Sequence, residues 1–295
     1  MSAAPASAPQ ETSRLLDTGY RPYDGPRAGV AGAVASLVRY SVGRGLGVGR
    51  PLGGKVPIGL VLLVAYLPAL ALVGVAVIAG DVLQQTLVES VRDYYQLITT
   101  AVVAFAALVV PELFCTDKRT GMLGRYLATP LTRWTYLLAK AVALVVLLAL
   151  VALGPPLLLL LGLAGTGDAV PPVAELLDVL WRILLATPLL ALPVAAVGAA
   201  ASSLTSRRVV ATAVIAVLLL VGGAVSAVLV GTGSWPVVQL VDVVAVAFEA
   251  PARLLGADSA LSTVPLWQVG AAWLAWVAVP TTVVVTSYAT TKVSR

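Results

Sequence analysis

The sequence contains no histidine and a single cysteine, Cys115, among its 295 residues. A lone cysteine cannot form an intrachain disulfide, and without histidine or a cysteine cluster a zinc, haem or iron-sulfur site has almost no ligands to draw on. The composition therefore argues against metal and covalent chemistry. We expect no catalytic residue and no metal-binding residue in this chain, and no enzymatic activity of its own.

Charged side chains are also scarce, at 11% of the residues, against about 25% in an ordinary soluble domain. Hydrophobic residues make up 59% of the chain, and the mean hydropathy is +0.97. The apolar runs reach the roughly 20 residues needed to cross a bilayer. The sequence therefore predicts a polytopic membrane protein. It excludes a secreted enzyme, a disulfide scaffold and a nucleic-acid-binding domain, although the net charge of +5 could suggest the last.

The N-terminal segment, residues 1–27, is rich in proline, serine and alanine and has no apolar stretch of signal-peptide length. It predicts a disordered cytosolic tail. Residues 28–55 then predict an amphipathic helix in the membrane interface, followed by a linker, because apolar residues recur at every fourth position. Glycines from Gly43 onwards should fray the helix beyond about Val42. A poorly ordered basic linker is the alternative. The periodic residues are Val30, Val34, Val38, Val42 and Leu46.

Six uncharged spans predict an all-α transmembrane domain over residues 56–291, followed by a short C-terminus, residues 292–295. Arg207 and Arg208 alone separate the fourth span from the fifth, which predicts a tight hairpin at one membrane face. The spans are residues 56–80, 94–111, 141–167, 183–206, 209–241 and 259–291.

The distribution of cations predicts the orientation of these spans. If the N-terminus is cytosolic, 16 of the 19 lysines and arginines fall on the cytosolic side. Only Arg92, Arg182 and Arg253 fall outside, which agrees with the positive-inside rule. We therefore expect both termini in the cytosol.

The segment between the fifth and sixth spans contains an apolar stretch, Val237 to Phe248, that Asp242 interrupts. This stretch is too short and too charged to span a membrane. It predicts one or two short re-entrant helices in the outer leaflet, covered by protein where their backbone ends are unpaired. An amphipathic surface helix is the alternative.

The loop between the second and third spans carries the most specific pattern in the chain. Leu123, Tyr126 and Leu127 fall at the i, i+3 and i+4 positions of a short amphipathic helix, predicted from about Asp117 to Ala128 and ended by Pro130. Such a helix with an exposed basic face is suited to bind a cytosolic partner. A snorkelling interface helix without a partner explains the same pattern.

Residues 117–123 (Asp-Lys-Arg-Thr-Gly-Met-Leu), 127–134 (Leu-Ala-Thr-Pro-Leu-Thr-Arg-Trp) and 137–140 (Leu-Leu-Ala-Lys) resemble the loop signature of ABC-2 type transporter permeases. The predicted plan of spans and flanking helices also resembles that family. Three residues depart from the usual pattern: Arg119 stands where the family has a second acid, Met122 where it has threonine, and Gly124 where it has an acid. These departures make the loop more basic.

The resemblance implies a permease that dimerises, as a homodimer or with a close paralogue, and that binds two cytosolic ATP-binding cassette subunits. ATP and Mg²⁺ would be bound by those subunits, and this chain would bind no cofactor; it contains no G-x-x-x-x-G-K-[ST] phosphate loop. Residues 121–128 would be the coupling helix. The residues implied in coupling are Asp117, Lys118, Arg119, Gly121, Leu123, Arg125, Tyr126, Leu127, Pro130 and Arg133.

Two other function classes fit a six-span protein. An ion-coupled secondary transporter places ionisable residues at membrane depth, whereas here Glu112, Arg182 and Asp242 all lie near predicted span edges. A membrane assembly or structural protein is the third possibility, and only the loop resemblance argues against it.

The spans lack polar groups for sugars or ions, so the expected cargo is a hydrophobic or amphiphilic small molecule such as a drug, an antibiotic or a lipid-like compound. Tyr66, Tyr95 and Phe105 are candidates to line its path, with lipid-facing or interhelical packing as the alternative. The Ala, Val, Leu and Arg bias hints at a bacterial source, and hence at a bacterial cytoplasmic membrane.

Overall fold

A computed structural model describes residues 25, 28–79, 87–165, 172–231, 236–257 and 261–290. Within these ranges the chain forms helices and contains no strand. Six helical segments are long and apolar enough to cross a membrane, which agrees with the predicted number of spans and with the predicted all-α class. Nearly all of the predicted tail, residues 1–27, and the whole predicted C-terminus, residues 292–295, lie outside the described ranges.

The helices follow one another with short connections, and the third span consists of two helices, α5 and α6. A 3₁₀ turn, Pro236–Val241, precedes α9. In chain order the α-helices are α1 (Gly29–Gly45), α2 (Leu52–Ala79), α3 (Leu87–Arg119), α4 (Met122–Leu127), α5 (Arg133–Ala152), α6 (Gly154–Ala164), α7 (Val173–Leu204), α8 (Arg208–Gly231), α9 (Val243–Leu255) and α10 (Leu266–Thr290).

Two spans form the centre of the bundle, because α3 and α7 are the most buried, with 72% and 61% of their most apolar windows inside the protein. The corresponding share is only 17% to 22% for α2, α8 and α10, which present apolar side chains outward. Such outward apolar faces are what a lipid-facing span requires, since lipid tails solvate them.

Helix α1 ends at Gly45, three residues beyond the predicted end at Val42. Gly45 packs so closely on α5 that a Cβ atom there would lie 2.5 Å from Leu147 Cδ1. Gly47 and Gly49 follow with φ values of 78° and 82°, which favour glycine, and they turn the chain into α2. The glycine run thus serves helix packing and a turn, and Gly45 does not fray the helix.

The third span breaks between α5 and α6, where Pro155 and Pro156 occupy the first turn of α6 and cannot donate backbone hydrogen bonds. The Tyr66 hydroxyl of α2 donates to the Leu150 carbonyl at this break, at 2.7 Å. A Cβ atom on Gly154 would lie 2.0 Å from that hydroxyl. Only glycine therefore leaves room for the Tyr66 side chain at this position.

Short helices follow the fifth span, as predicted. Asp242 caps α9 by accepting a hydrogen bond from the Val244 backbone amide at 2.9 Å, and Gly256 ends the helix at φ 69°. The depth of α9 relative to the outer leaflet stays a prediction.

Candidate functional site

The loop between the second and third spans contains helix α4, which is shorter than the predicted helix from Asp117 to Ala128. Residues 117–119 continue α3, and Gly121, at φ 64°, separates α3 from Met122, the first residue of α4. The Thr120 backbone amide donates to the Thr116 carbonyl, which extends the α3 hydrogen-bonding pattern to the turn. Asp117 therefore belongs to the end of a span.

Asp117 is buried, with 1% of its side chain exposed, and it accepts hydrogen bonds from three different donors. Lys140 Nζ lies 2.7 Å from one carboxylate oxygen, and the Tyr136 hydroxyl lies 3.0 Å from the same oxygen. Arg44 donates to the other oxygen at 3.1 Å. This carboxylate thus joins α3 to both α5 and α1.

Glu112, nearly one and a half turns earlier on α3, forms a second ionic centre. Its carboxylate contacts Arg50 at 2.6 Å, Arg208 at 2.7 Å and Arg44 at 3.3 Å. Arg44 bridges the two carboxylates. We call this set of two acids and four bases the ion network, and the end of the bundle that holds it the basic end. The ion network consists of Arg44, Arg50, Glu112, Asp117, Lys140 and Arg208.

The ion network is a partly buried charge cluster in which each carboxylate meets at least two cations. Asp117 and Lys140 are 1% exposed, whereas Arg208 is 42% exposed. Burial opposes the charge of Arg44, but Asp117 and Glu112 outweigh it and raise the pKa of Arg44 above its ordinary value. Buried ions are tolerated when each is paired and hydrogen-bonded, and removing one partner is costly. The network therefore fixes the relative positions of α1, α3, α5 and α8 at the basic end.

Two other residues from the predicted coupling set bind helix ends of their own chain. Lys118 Nζ donates to the Ser203 carbonyl at the end of α7 and to the Ser287 hydroxyl of α10 at 3.0 Å. Arg133 donates to the carbonyls of Tyr288, at 3.1 Å, and Ala289, near the end of α10. At the C-terminal end of a helix, a cation can bind backbone carbonyls that have no hydrogen-bond partner within the helix. Lys118 and Arg133 thus form hydrogen bonds that link helices within this chain.

Helix α4 is anchored through its apolar side. Leu123 is buried and Leu127 is half-buried, while the Tyr126 ring packs on the Tyr136 ring with centroids 5.7 Å apart. The Tyr126 hydroxyl is buried without a hydrogen-bond partner among the described residues, and burial raises the pKa of Tyr126 to about 12.

The remaining residues of the predicted coupling set form an exposed surface, which we call the α4 face. Two arginines give this face its charge, Arg119 at the end of α3 and Arg125 on α4, and the surface extends from the end of α3 past α4. The exposed residues are Arg119, Gly121, Arg125 and Pro130.

Two of the three predicted cargo-path residues lie in the packed interior of the bundle. Tyr95 and Phe105 are 1% and 0% exposed inside the bundle, and the Tyr95 hydroxyl lies 3.5 Å from Thr187 Oγ1 of α7. An apolar cavity of about 480 Å³ lies elsewhere, between α5, α7 and α10. Its lining includes Phe114, Trp134, Leu144, Ala195, Val277 and Val284.

Sequence reasoning did not identify the ion network. A signal was present, since Glu112 and Asp117 are the only acids after residue 28 on the side predicted to be cytosolic, five positions apart and amid an excess of cations. Their partners come from three other helices and from the connection between α1 and α2, and no spacing in the sequence assigns those partners.

Models of known protein families, scanned against the chain, give no match, and a search of curated proteins gives none. The resemblance to ABC-2 type permeases therefore depends on residues 117–140 and on the plan of the helices.

Proposed function

We propose that this chain is the membrane-spanning permease subunit of an ATP-driven ABC-2 type exporter. It acts as a homodimer, or with a close paralogue, in a bacterial cytoplasmic membrane. Two cytosolic ATP-binding cassette subunits bind ATP and Mg²⁺ and dock on the α4 face. The observation that carries this proposal is the short helix α4, in the loop whose residues resemble the family signature. It exposes Arg125 and packs through Tyr126 on Tyr136, which donates to Asp117 of the ion network.

Packing contacts and hydrogen bonds connect α4 to the ends of the neighbouring spans. Tyr126 packs on Tyr136, and Tyr136 donates to Asp117 at the end of α3. Lys140 of α5 binds the same carboxylate. A displacement of α4 by an ATPase subunit would therefore move the ends of the second and third spans together, since closely packed interiors transmit strain.

The cargo of such an exporter would be a hydrophobic or amphiphilic small molecule. The apolar cavity between α5, α7 and α10 supports this choice, because its volume of about 480 Å³ suits a small organic molecule. Trp134, which is 69% exposed, lies at one end of that cavity.

The docking test uses Arg119→Glu together with Arg125→Glu, because both side chains are exposed and neither makes an ion pair among the described residues. Arg133 is left intact, since its loss would release the end of α10. The tagged chain is purified from membranes of its native host, and the ATPase captured with it and its vanadate-sensitive ATP hydrolysis are measured. We expect assembly to weaken about tenfold or more, because each reversal replaces attraction with repulsion.

Arg207→Glu is the matched control, as Arg207 is an exposed arginine in the α7–α8 turn outside α4. Assembly of the double variant at the level of this control would contradict the coupling role of α4. Transport by reconstituted chain alone, driven by a proton or sodium gradient without ATP, would instead establish the secondary-transporter alternative.

A further inference from the structure

A groove rich in arginine lies between α1 and the α3–α4 connection at the basic end. Its volume is about 900 Å³, and it lies outside the contacts that anchor α4. Arg39 and Arg125 are exposed at its sides, and Arg44 and Arg50 of the ion network also line it. We call it the arginine groove.

Among the described residues, no carboxylate lines the arginine groove. The two acids of the ion network, Glu112 and Asp117, lie behind Arg44 and are outnumbered by four cations. The groove therefore carries excess positive charge in a concave site. Hydroxyl groups of Ser36 and Tyr40 add neutral hydrogen-bond donors. This combination of guanidinium and hydroxyl donors is suited to a phosphate group.

An apolar stripe begins at the edge of the arginine groove. Val48, which lines the groove, and Leu52, Val56 and Leu60 of α2 are spaced four residues apart and are 57% to 80% exposed. This stripe continues along the first span, which is only 17% buried in the protein. A free phosphate compound would leave the stripe uncovered, whereas an acyl chain attached to the phosphate would lie along it.

We infer that the arginine groove binds the phosphate headgroup of an anionic phospholipid whose acyl chains lie along the exposed face of α2. Basic clusters at the ends of membrane helices attract anionic lipids, and the attraction grows with the number of cations. The bound lipid would hold α1 against the membrane surface. This inference does not depend on an ATPase partner.

The test measures lipid binding to the full chain in detergent by native mass spectrometry. The probes are phosphatidylglycerol and phosphatidylcholine with identical acyl chains, and glycerol phosphate as the free headgroup. We expect phosphatidylglycerol to bind about tenfold more tightly than phosphatidylcholine, and millimolar glycerol phosphate not to displace it. Arg39→Gln should weaken phosphatidylglycerol about threefold, and Arg39→Gln with Arg125→Gln about tenfold. Arg207→Gln, an exposed arginine outside the groove, should change nothing.

Equal binding of the two lipids would overturn the inference, as would an equal loss in Arg207→Gln. Displacement by glycerol phosphate would assign the groove to soluble phosphate esters instead.

A phosphatidylglycerol with a photoreactive acyl chain provides a second measurement, on the unaltered chain. Crosslinks should fall within residues 48–60, and their absence there would contradict the placement of the acyl chains. Because Arg39 belongs to the groove and Arg119 to the α4 face alone, failure of this inference is distinguishable from failure of ATPase docking.

Discussion

At the scale of single residues, the contact between Asp117 and Lys140 is an ion pair buried on both sides. Both side chains are 1% exposed, and their charged atoms lie 2.7 Å apart. Lys140 also donates to Ser41 of α1 at 3.2 Å. Removing the lysine would leave a buried carboxylate with two of its three donors, and uncompensated buried charge is strongly destabilising.

We expect Lys140→Met to destabilise the protein by about 3 kcal/mol, the low end of the usual range because Arg44 and Tyr136 still bind Asp117. Thermal unfolding in detergent, followed by tryptophan fluorescence, should show a fall in Tm of roughly 6 to 12 °C. The matched control is Lys55→Met at an exposed lysine near the start of α2. A shift no larger than that of the control would mean that the ion network contributes little to stability.

At the scale of helices, backbone carbonyls without intrahelical partners are bound by side chains of neighbouring helices. Arg182 donates to the Leu254 carbonyl at the end of α9 at 2.7 Å, as Lys118 and Arg133 do at the ends of α7 and α10. Inside α7, Pro193 has no amide to offer the Leu189 carbonyl, and Trp273 of α10 donates its indole N–H there at 2.7 Å. These bonds hold helices together where hydrocarbon offers no alternative donor.

We expect Trp273→Phe to lower stability by about 1 to 3 kcal/mol, because it leaves the Leu189 carbonyl unpaired. Adding Pro193→Ala should recover part of that loss, since the alanine amide can donate to the same carbonyl. Thermal unfolding of both variants in detergent tests this coupling. Trp267→Phe, at an indole that is 72% exposed, is the control. If the double variant is no more stable than Trp273→Phe, the indole does not replace the missing amide.

At the scale of the whole molecule, the cations fall into two groups at opposite ends of the spans. The ion network and the α4 face occupy the basic end, whereas Arg92, Arg182 and Arg253 each pair with a nearby acid at the other. The excess of cations at one end agrees with the predicted orientation, in which the basic end faces the cytosol.

Labelling with a membrane-impermeant thiol reagent in intact cells tests this orientation, in a Cys115→Ser background. Asp168→Cys and Asp258→Cys, in loops predicted outside, should label. Ser13→Cys and Ser294→Cys, near the termini, should label only after the cells are permeabilised. Labelling of either terminal cysteine in intact cells would overturn the six-span plan with both ends inside.

The sequence by itself determined the fold class, the number of spans and the position of the loop helix. Hydrophobic length decides whether a helix can cross a bilayer, and this property is local, so the spans could be read directly. The predicted ends of two helices differ from the structure. Helix α4 begins at Met122 because Gly121 adopts a left-handed backbone conformation, and α1 extends to Gly45 because that glycine packs on α5.

Only the tertiary structure decided what the charged residues of the loop do. The resemblance of the loop to ABC-2 type permeases places Asp117, Lys118 and Arg133 in one coupling set with Arg119 and Arg125. The structure binds the first three to α1, α5, α7 and α10 and leaves the two arginines exposed. Tyr95 and Phe105 likewise lie inside the bundle. The contacts of a charged or aromatic side chain depend on partners that are distant in the sequence. The periodicity of residues within one helix contains no information about those partners.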